Sequence, residues 1–296
     1  MTQIAFIGLG NMGGGMCSNL AKAGHDVRAF DLNAEAISRV VAQGAVAAGS
    51  VAEAVAGAEA VVTMLPAGKH VKSVYLGEDG ILSAAKPGTV FLDCSTIAVE
   101  VARETAKAAT DAGFLMVDAP VSGGTAAADA GTLTFMVGGT EAAFERAKPI
   151  LEVMGQKIVH AGASGNGQVA KIANNMLLGI SMIGTAEAFN LAEKLGLDAQ
   201  TFFDISSTAS GQCWSMTSYC PAPGPVQTAP SNRDYQPGFA VDMMLKDLRL
   251  AADAANAADV QSPLGAMAEK IYAGLSESGQ GGLDFSGVIL RLKNEI

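Results

Sequence analysis

The chain has 296 residues, of which 49% are hydrophobic and 16% charged, and a formal net charge of −10. That is enough length and apolar content for at least one sizeable core, and it excludes a disordered chain. The acidic balance excludes binding of nucleic acid or an anionic membrane surface through a basic patch, although a small anionic ligand needs only local positive potential.

Cys17, Cys94, Cys213 and Cys220 are widely spread with no C-x-x-C spacing, which predicts free thiols in a reducing compartment. His25, His70 and His160 stand apart from one another and from cysteine or acid clusters, so no metal is expected. A strand reading begins at Gln3, leaving no room for a signal peptide. The longest apolar stretch, Met176 to Ala192, is interrupted by Gly179, Gly184 and Glu187, which argues against a membrane span. A soluble, cytoplasmic protein is the expectation.

In chain order, an apolar run from Gln3 ends in glycines and is followed by a helical stretch from Met12 to Ala23. Asp26–Asp31 is the next strand, then a helix from Ala34 to Gln43. Ala60–Leu65, Thr89–Asp93 and Phe114–Val121 repeat the theme between Ala-rich helical segments, and Thr132–Gly139 and Lys157–Gly162 close the series of strands. Near-continuous apolar strands alternating with helices predict a mainly parallel sheet covered on both faces. After Gly167 the pattern is helical: Gln168 to about Leu195, Asp198–Ser207, Phe239–Ala258, Pro263–Ser276 and a short C-terminal helix. Between them, Thr208 to Gly238 carries Pro221, Pro223, Pro225, Pro230 and Pro237 and reads as a long loop, of the kind that is often functional. Three parts follow: an α/β domain over residues 1–163, a connecting helix over 164–195 and an all-helical substrate or oligomerisation domain over 196–296.

The first glycines, in "GLGNMG", form G-x-G-x-x-G between a strand and a helix start, the context in which the motif carries meaning. Gly8, Gly10, Asn11, Met12 and Gly13 are therefore candidates to hold a dinucleotide pyrophosphate at a helix N-terminus, in a doubly wound, Rossmann-type domain. Asp31 ends the next strand 18 residues past Gly13, near the spacing expected of the acid that binds the adenosine ribose. A carboxylate there accepts from the ribose hydroxyls and repels a 2′-phosphate, which favours NAD over NADP. Open α/β sheets bind ligands beyond the C-terminal strand ends. Leu65 and Pro66 could line the cofactor there, Thr96 could hydrogen-bond it, and Ser122, Gly123 and Gly124 offer a hydroxyl and backbone N–H groups that suit a carboxylate. Ordinary turn chemistry is the plainer reading of each.

"GNGQVAKIANNM" puts Lys171 and Asn175 one turn apart on one helix face, with Asn174 rotated slightly away. A lysine near a helix start is usually solvated. Beside a nicotinamide site a desolvated lysine can instead serve as a general base.

With these motifs, "DAPVSGGTAAADAGTLTFMVGG" and "FAVDMMLKDLRLA", the chain resembles the β-hydroxyacid dehydrogenase family over nearly its whole length. "SGQCWSMTSYCPAPG" and "SNRDYQPGF" narrow the resemblance to the hydroxyisobutyrate branch. Gly15 stands where many relatives have proline and Gln212 where some carry arginine. The resemblance implies that Lys171 is the catalytic acid/base and that Asn175 orients the substrate, with Ser122, Gly123 and Gly124 holding its carboxylate. Lys246 would approach the nicotinamide and Asp247 the substrate, while Trp214 and Tyr219 close over it. It further implies NAD-dependent oxidation of a short hydroxy acid, with hydroxyisobutyrate ahead of serine or the reverse reduction of tartronate semialdehyde. A non-catalytic NAD-sensing module and a mainly structural oligomer are the alternatives outside that class. The apolar helices after Gln168 predict a homodimer or homotetramer.

Overall fold

The structure, a computed structural model, describes residues 1–296 and divides into two compact units, Met1–Lys171 and Ile172–Ile296. No helix in either is long and apolar enough to cross a membrane.

The first unit is built on nine strands: β1 (Gln3–Ile7), β2 (Asp26–Phe30), β3 (Val46–Ala47), β4 (Ala60–Thr63), β5 (Val90–Asp93), β6 (Leu115–Asp118), β7 (Val121–Ser122), β8 (Leu133–Gly138) and β9 (Gly155–Gly162). Their order is β3-β2-β1-β4-β5-β6-β8-β7, with β9 paired on β8. The pairs from β3 through β6 are all parallel, so helical crossovers must cover both faces. Alternate residues feed the two cores accordingly: Ile4, Phe6, Val62 and Leu92 pack on one face, Ala5, Ile7, Val61 and Phe91 on the other. The strand order reverses at β1, which has β2 on one side and β4 on the other. That reversal opens a crevice at the strand C-termini.

The sequence reading of one strand over Phe114–Val121 is corrected. β6 ends at Asp118, and after a break at Ala119–Pro120 β7 runs on in the same direction, both pairing antiparallel with β8 in one register. Pro120, between the two, has no N–H to continue the ladder. The two-residue β3 and the helix Val51–Val55 had no sequence signal strong enough to be read. Helix bounds otherwise differ from the pattern by a few residues, as fraying termini do.

The second unit is helical, its one strand-like feature an isolated antiparallel bridge between Ala240 and Asp284. The 29-residue helix Asn166–Lys194 starts in the first unit and continues into the second. Met182, Phe189, Met244, Leu248, Tyr272 and Phe285 belong to the second unit's core. The proline-rich stretch, read as a long loop, is ordered by its own contacts. It holds a one-turn helix, Trp214–Thr217, and a 3₁₀ turn, Pro230–Asn232. Ser231 Oγ donates to the Cys220 carbonyl at 2.7 Å, and buried Tyr235 donates its hydroxyl to the Pro221 carbonyl at 2.8 Å.

Candidate active site

The glycine loop leaves β1 and is fastened to the end of β2. Gly8 N–H donates to the Phe30 carbonyl at 3.0 Å, and Leu9 N–H donates to Asp31 Oδ2 at 2.6 Å. Asp31 Oδ1 accepts from Asn33 N–H at 2.8 Å. Each oxygen has a second lone pair for a further donor. Gly8 adopts a φ of +95°, and a Cβ there would collide with the Met64 carbonyl of the strand across the crevice. A Cβ on Gly13, the first residue of the helix Gly13–Lys22, would strike the Gly8 carbonyl. One on Gly10 would meet no heavy atom within 4 Å. Two glycines thus let the chain pack on itself, and the third leaves an open cradle beside a helix N-terminus, which fits a dinucleotide pyrophosphate. Asn11 is exposed there, and Met12 packs on the core.

Across the crevice, Leu65 N–H donates to Ser95 Oγ at 2.8 Å, and that hydroxyl donates to Asp93 Oδ1 at 2.6 Å. This ties the Leu65–Pro66 turn to the loop carrying Thr96. Thr63, Asp93 and Asp118 are neighbours in register at the ends of β4, β5 and β6. Thr63 Oγ1 donates to Asp93 Oδ1 at 2.8 Å, while the buried Asp93 Oδ2 has no hydrogen-bond partner. Burial pushes both acids from the ordinary 3.8 up to about 6; hydrogen bonds from Ser95 and Thr63 oppose this at Asp93, and backbone N–H groups of Gly165 and Gln168 oppose it at Asp118.

Asp118 receives the start of the long helix. Its Oδ1 accepts from Gly165 N–H at 2.7 Å and its Oδ2 from Gln168 N–H at 3.0 Å. Gln168 is wholly buried: its Nε2 donates to the Ser95 carbonyl at 2.8 Å and its Oε1 accepts from Ile97 N–H at 3.1 Å. Gly167 allows the approach, since a Cβ there would run into the Met136 and Asp118 carbonyls. One turn on, Lys171 is buried and its Nζ donates to the Val121 carbonyl at 2.7 Å. The structure therefore brings the lysine beside Ser122 and out of solvent, where a lysine near a helix start is usually solvated. Gly123 and Gly124 follow with φ of +137° and +71°, a turn that opens the helix Gly124–Ala130.

In the second unit, Asn175 and Asp247 are both buried and bonded to each other, Nδ2 donating to Oδ2 at 2.6 Å. Asn174 Nδ2 donates to Asn175 Oδ1 at 3.0 Å, and Lys246 Nζ lies 3.6 Å from Asp247 Oδ1. Trp214 stacks on Tyr219 with ring centroids 5.0 Å apart, and Tyr219 donates its hydroxyl to Asp284 at 2.8 Å.

Sequence reading missed the supporting acids. Asp93 and Asp118 each end an apolar run, and that placement was the available signal. Asp284 gave only a local Asp-x-Ser cap pattern.

A family model described as the NAD binding domain of 6-phosphogluconate dehydrogenase matches residues 3–162. A second, described as NAD-binding of NADP-dependent 3-hydroxyisobutyrate dehydrogenase, matches residues 165–292. The chain belongs to the NAD-dependent β-hydroxyacid dehydrogenases, in the 3-hydroxyisobutyrate dehydrogenase family. It is an oxidoreductase, and its first unit is an NAD-binding domain. The 3-hydroxyisobutyrate dehydrogenase of Pseudomonas aeruginosa is 50% identical over 290 residues, covering 97% of each chain. The NAD-dependent L-serine dehydrogenase of the same organism is also 50% identical, over 288 residues and 97% of each chain. The solved structure of the Mycobacterium tuberculosis 3-hydroxyisobutyrate dehydrogenase with L-serine superposes with a TM-score of 0.94 at 51% identity, covering 99% of both chains.

Proposed function

We propose that the chain oxidises 3-hydroxyisobutyrate to methylmalonate semialdehyde, the oxidation expected in valine catabolism, with Lys171 as general acid/base. The observation that carries this is the lysine itself: a buried amine on a helix fixed by Asp118 and Gln168, donating to the carbonyl next to Ser122.

In this reading residues 1–163 hold the cofactor, 164–195 connect, and 196–296 serve substrate binding and assembly. Ser122, Gly123 and Gly124 take the substrate carboxylate. Lys171 Nζ accepts the hydroxyl proton during oxidation and returns it during reduction. Asn175, braced by Asp247, orients the substrate, with Trp214 and Tyr219 covering it and Lys246 reaching toward the nicotinamide. Gly8, Gly10, Asn11, Met12 and Gly13 would hold the pyrophosphate, Asp31 the ribose, and Leu65, Pro66 and Thr96 the rest of the cofactor. When bound, NAD supplies the acceptor for the hydride lost by the carbinol carbon. Asp31 supports NAD over NADP because its carboxylate repels a 2′-phosphate.

L-Serine is the second reading, favoured by the equal identity to the P. aeruginosa serine dehydrogenase. The aromatic stack at Trp214 supports the apolar methyl group of hydroxyisobutyrate. A second copy of the chain is the proposed partner: Leu177 and Leu191 on the long helix, Leu195 just past its end, and Leu264 and Met267 on the helix Pro263–Leu275 are exposed. Its four free cysteines fit a cytoplasmic, reducing location.

The test is initial-rate reduction of NAD with 3-hydroxyisobutyrate, beside D- and L-serine and repeated with NADP. Hydroxyisobutyrate with NAD should give the highest kcat/KM. A serine enzyme would reverse the order, and NAD binding without turnover on any of them would overturn the proposal.

A further inference from the structure

The proline-rich stretch is bound to the C-terminal segment at one buried carboxylate. Asp284 is wholly buried, and both its oxygens are used. Its Oδ2 accepts from the Tyr219 hydroxyl at 2.8 Å, from Gly238 N–H at 2.9 Å and from Phe239 N–H at 3.1 Å. Its Oδ1 accepts from Ser286 N–H at 3.0 Å and from the Ser286 hydroxyl at 2.6 Å. An ionised carboxylate is acceptor-only, and such charge-assisted bonds are stronger than neutral ones. Burial, with the Asp284 charge beside it, drives the Tyr219 hydroxyl well above its ordinary pKa, so it remains a donor.

Tyr219 is thereby held by its hydroxyl, and its ring is also held by Phe285, 5.4 Å away between centroids. Trp214 depends on that ring. It is 51% exposed and rises from a single helical turn, and it stacks on Tyr219 with the ring planes 20° apart. An indole face attracts a methyl group by dispersion and an ammonium group by cation–π attraction, so its placement affects which substituent it favours.

We propose that Asp284 is a positioning residue for substrate specificity: through Tyr219 it fixes the Trp214 indole, and so sets the discrimination between a methyl and an ammonium substituent on the three-carbon hydroxy acid. This rests on Trp214 and Tyr219 covering the substrate, as proposed above.

The test uses the full chain with Tyr219→Phe, which keeps the ring and removes only the bond to Asp284, and with Asp284→Asn alone and combined. Trp214 is the sole tryptophan, so its emission reports the stack directly. In Tyr219→Phe the emission should shift, KM for hydroxyisobutyrate should rise roughly tenfold, and kcat and the KM for NAD should stay within about twofold, as loss of one charge-assisted bond at a binding wall predicts. The hydroxyisobutyrate-to-serine ratio of kcat/KM should change about fivefold or more, and the double variant should change it no further than Asp284→Asn alone, because the Tyr219–Asp284 coupling is already lost there. An unaltered emission with an unaltered ratio in Tyr219→Phe overturns the proposal, and so does additivity in the double variant. If Asp284→Asn does not fold, Tyr219→Phe alone decides. The wild-type enzyme tests the underlying reading separately: emission that ignores hydroxyisobutyrate and serine added with NAD removes Trp214 from the substrate and overturns the specificity role with it.

Discussion

Asp118 fixes Lys171 from one turn away. Its two oxygens accept from Gly165 and Gln168 N–H, the first donors of the helix whose next turn carries the lysine. Those donors have no partner within the helix, and a carboxylate also complements the positive end of its dipole. Asp118→Asn would set an amide N–H against one of them, leaving a buried donor unpaired at a cost of about 1–3 kcal/mol. The expected result is a Tm several degrees lower and a kcat down roughly tenfold or more, because displacement of a catalytic group lowers turnover steeply. Thermal unfolding and steady-state kinetics on the same preparation check this; a variant with wild-type kcat would separate the cap from the lysine.

The row formed by Asp93 and Asp118 should give the fold an unusual dependence on pH. Each carboxyl is raised by burial from 3.8 to about 6. A raised pKa means the native state holds the proton more tightly than the unfolded chain, so the stabilisation is complete below the unfolded value and is lost as pH rises through about 6. Asp93→Asn keeps an acceptor for Thr63 and Ser95 and cannot ionise. Relative to wild type, this variant should gain about 2 kcal/mol between pH 4.5 and pH 8. Urea unfolding at the two values measures the difference directly. A difference that does not change with pH would show that Asp93 is not a proton-binding group of the fold.

How far the sequence disclosed this site depended on the range of the interactions. The glycine motif, Asp31 and the parallel strands were readable because their spacing is fixed locally by strand and helix geometry. Lys171 was readable as a candidate from its company, but its burial was not, because the bond to Val121 spans 50 residues. Gln168 reaches 73 residues back to Ser95, and Tyr219 reaches 65 forward to Asp284; no periodicity encodes such pairs. The break at Pro120 could have been seen, since proline cannot continue a central ladder. The proline-rich stretch was readable as a loop, but not the bonds from Ser231 and Tyr235 that pack it, which join residues 11 and 14 positions apart.

Asp31 has one observed role and one proposed role, which a single substitution can separate. Its carboxylate holds the glycine loop through Leu9 N–H, and in the proposed complex it meets the ribose hydroxyls. Asp31→Ser removes the charge that repels a 2′-phosphate and shortens the reach to Leu9. NAD should lose roughly 10–100-fold in kcat/KM, about what one or two lost charge-assisted bonds remove, while NADP improves relative to it. Paired titrations of both cofactors check this. Equal losses for NAD and NADP would mean that Asp31 only supports the loop.

Lys171 itself makes the sharpest prediction. General acid–base catalysis contributes ~10²–10⁴-fold, and Lys171→Ala should lose that much kcat while NAD binding is unchanged, because the glycine loop is fastened by Phe30 and Asp31 whereas the lysine amine bonds to the Val121 carbonyl. Lys171→Arg should fail almost as badly: a guanidinium keeps its charge and cannot take the hydroxyl proton. Small primary amines added to Lys171→Ala should restore part of the rate, in proportion to the free base present, whereas they should do nothing for Asp118→Asn, in which the amine is present but displaced. The pH profile provides a second, independent reading, since the limb of kcat set by loss of the lysine proton should vanish in Lys171→Ala. Turnover near wild type in that variant, or an unaltered profile, would remove Lys171 from the chemistry and leave its bond to Val121 as a purely structural contact.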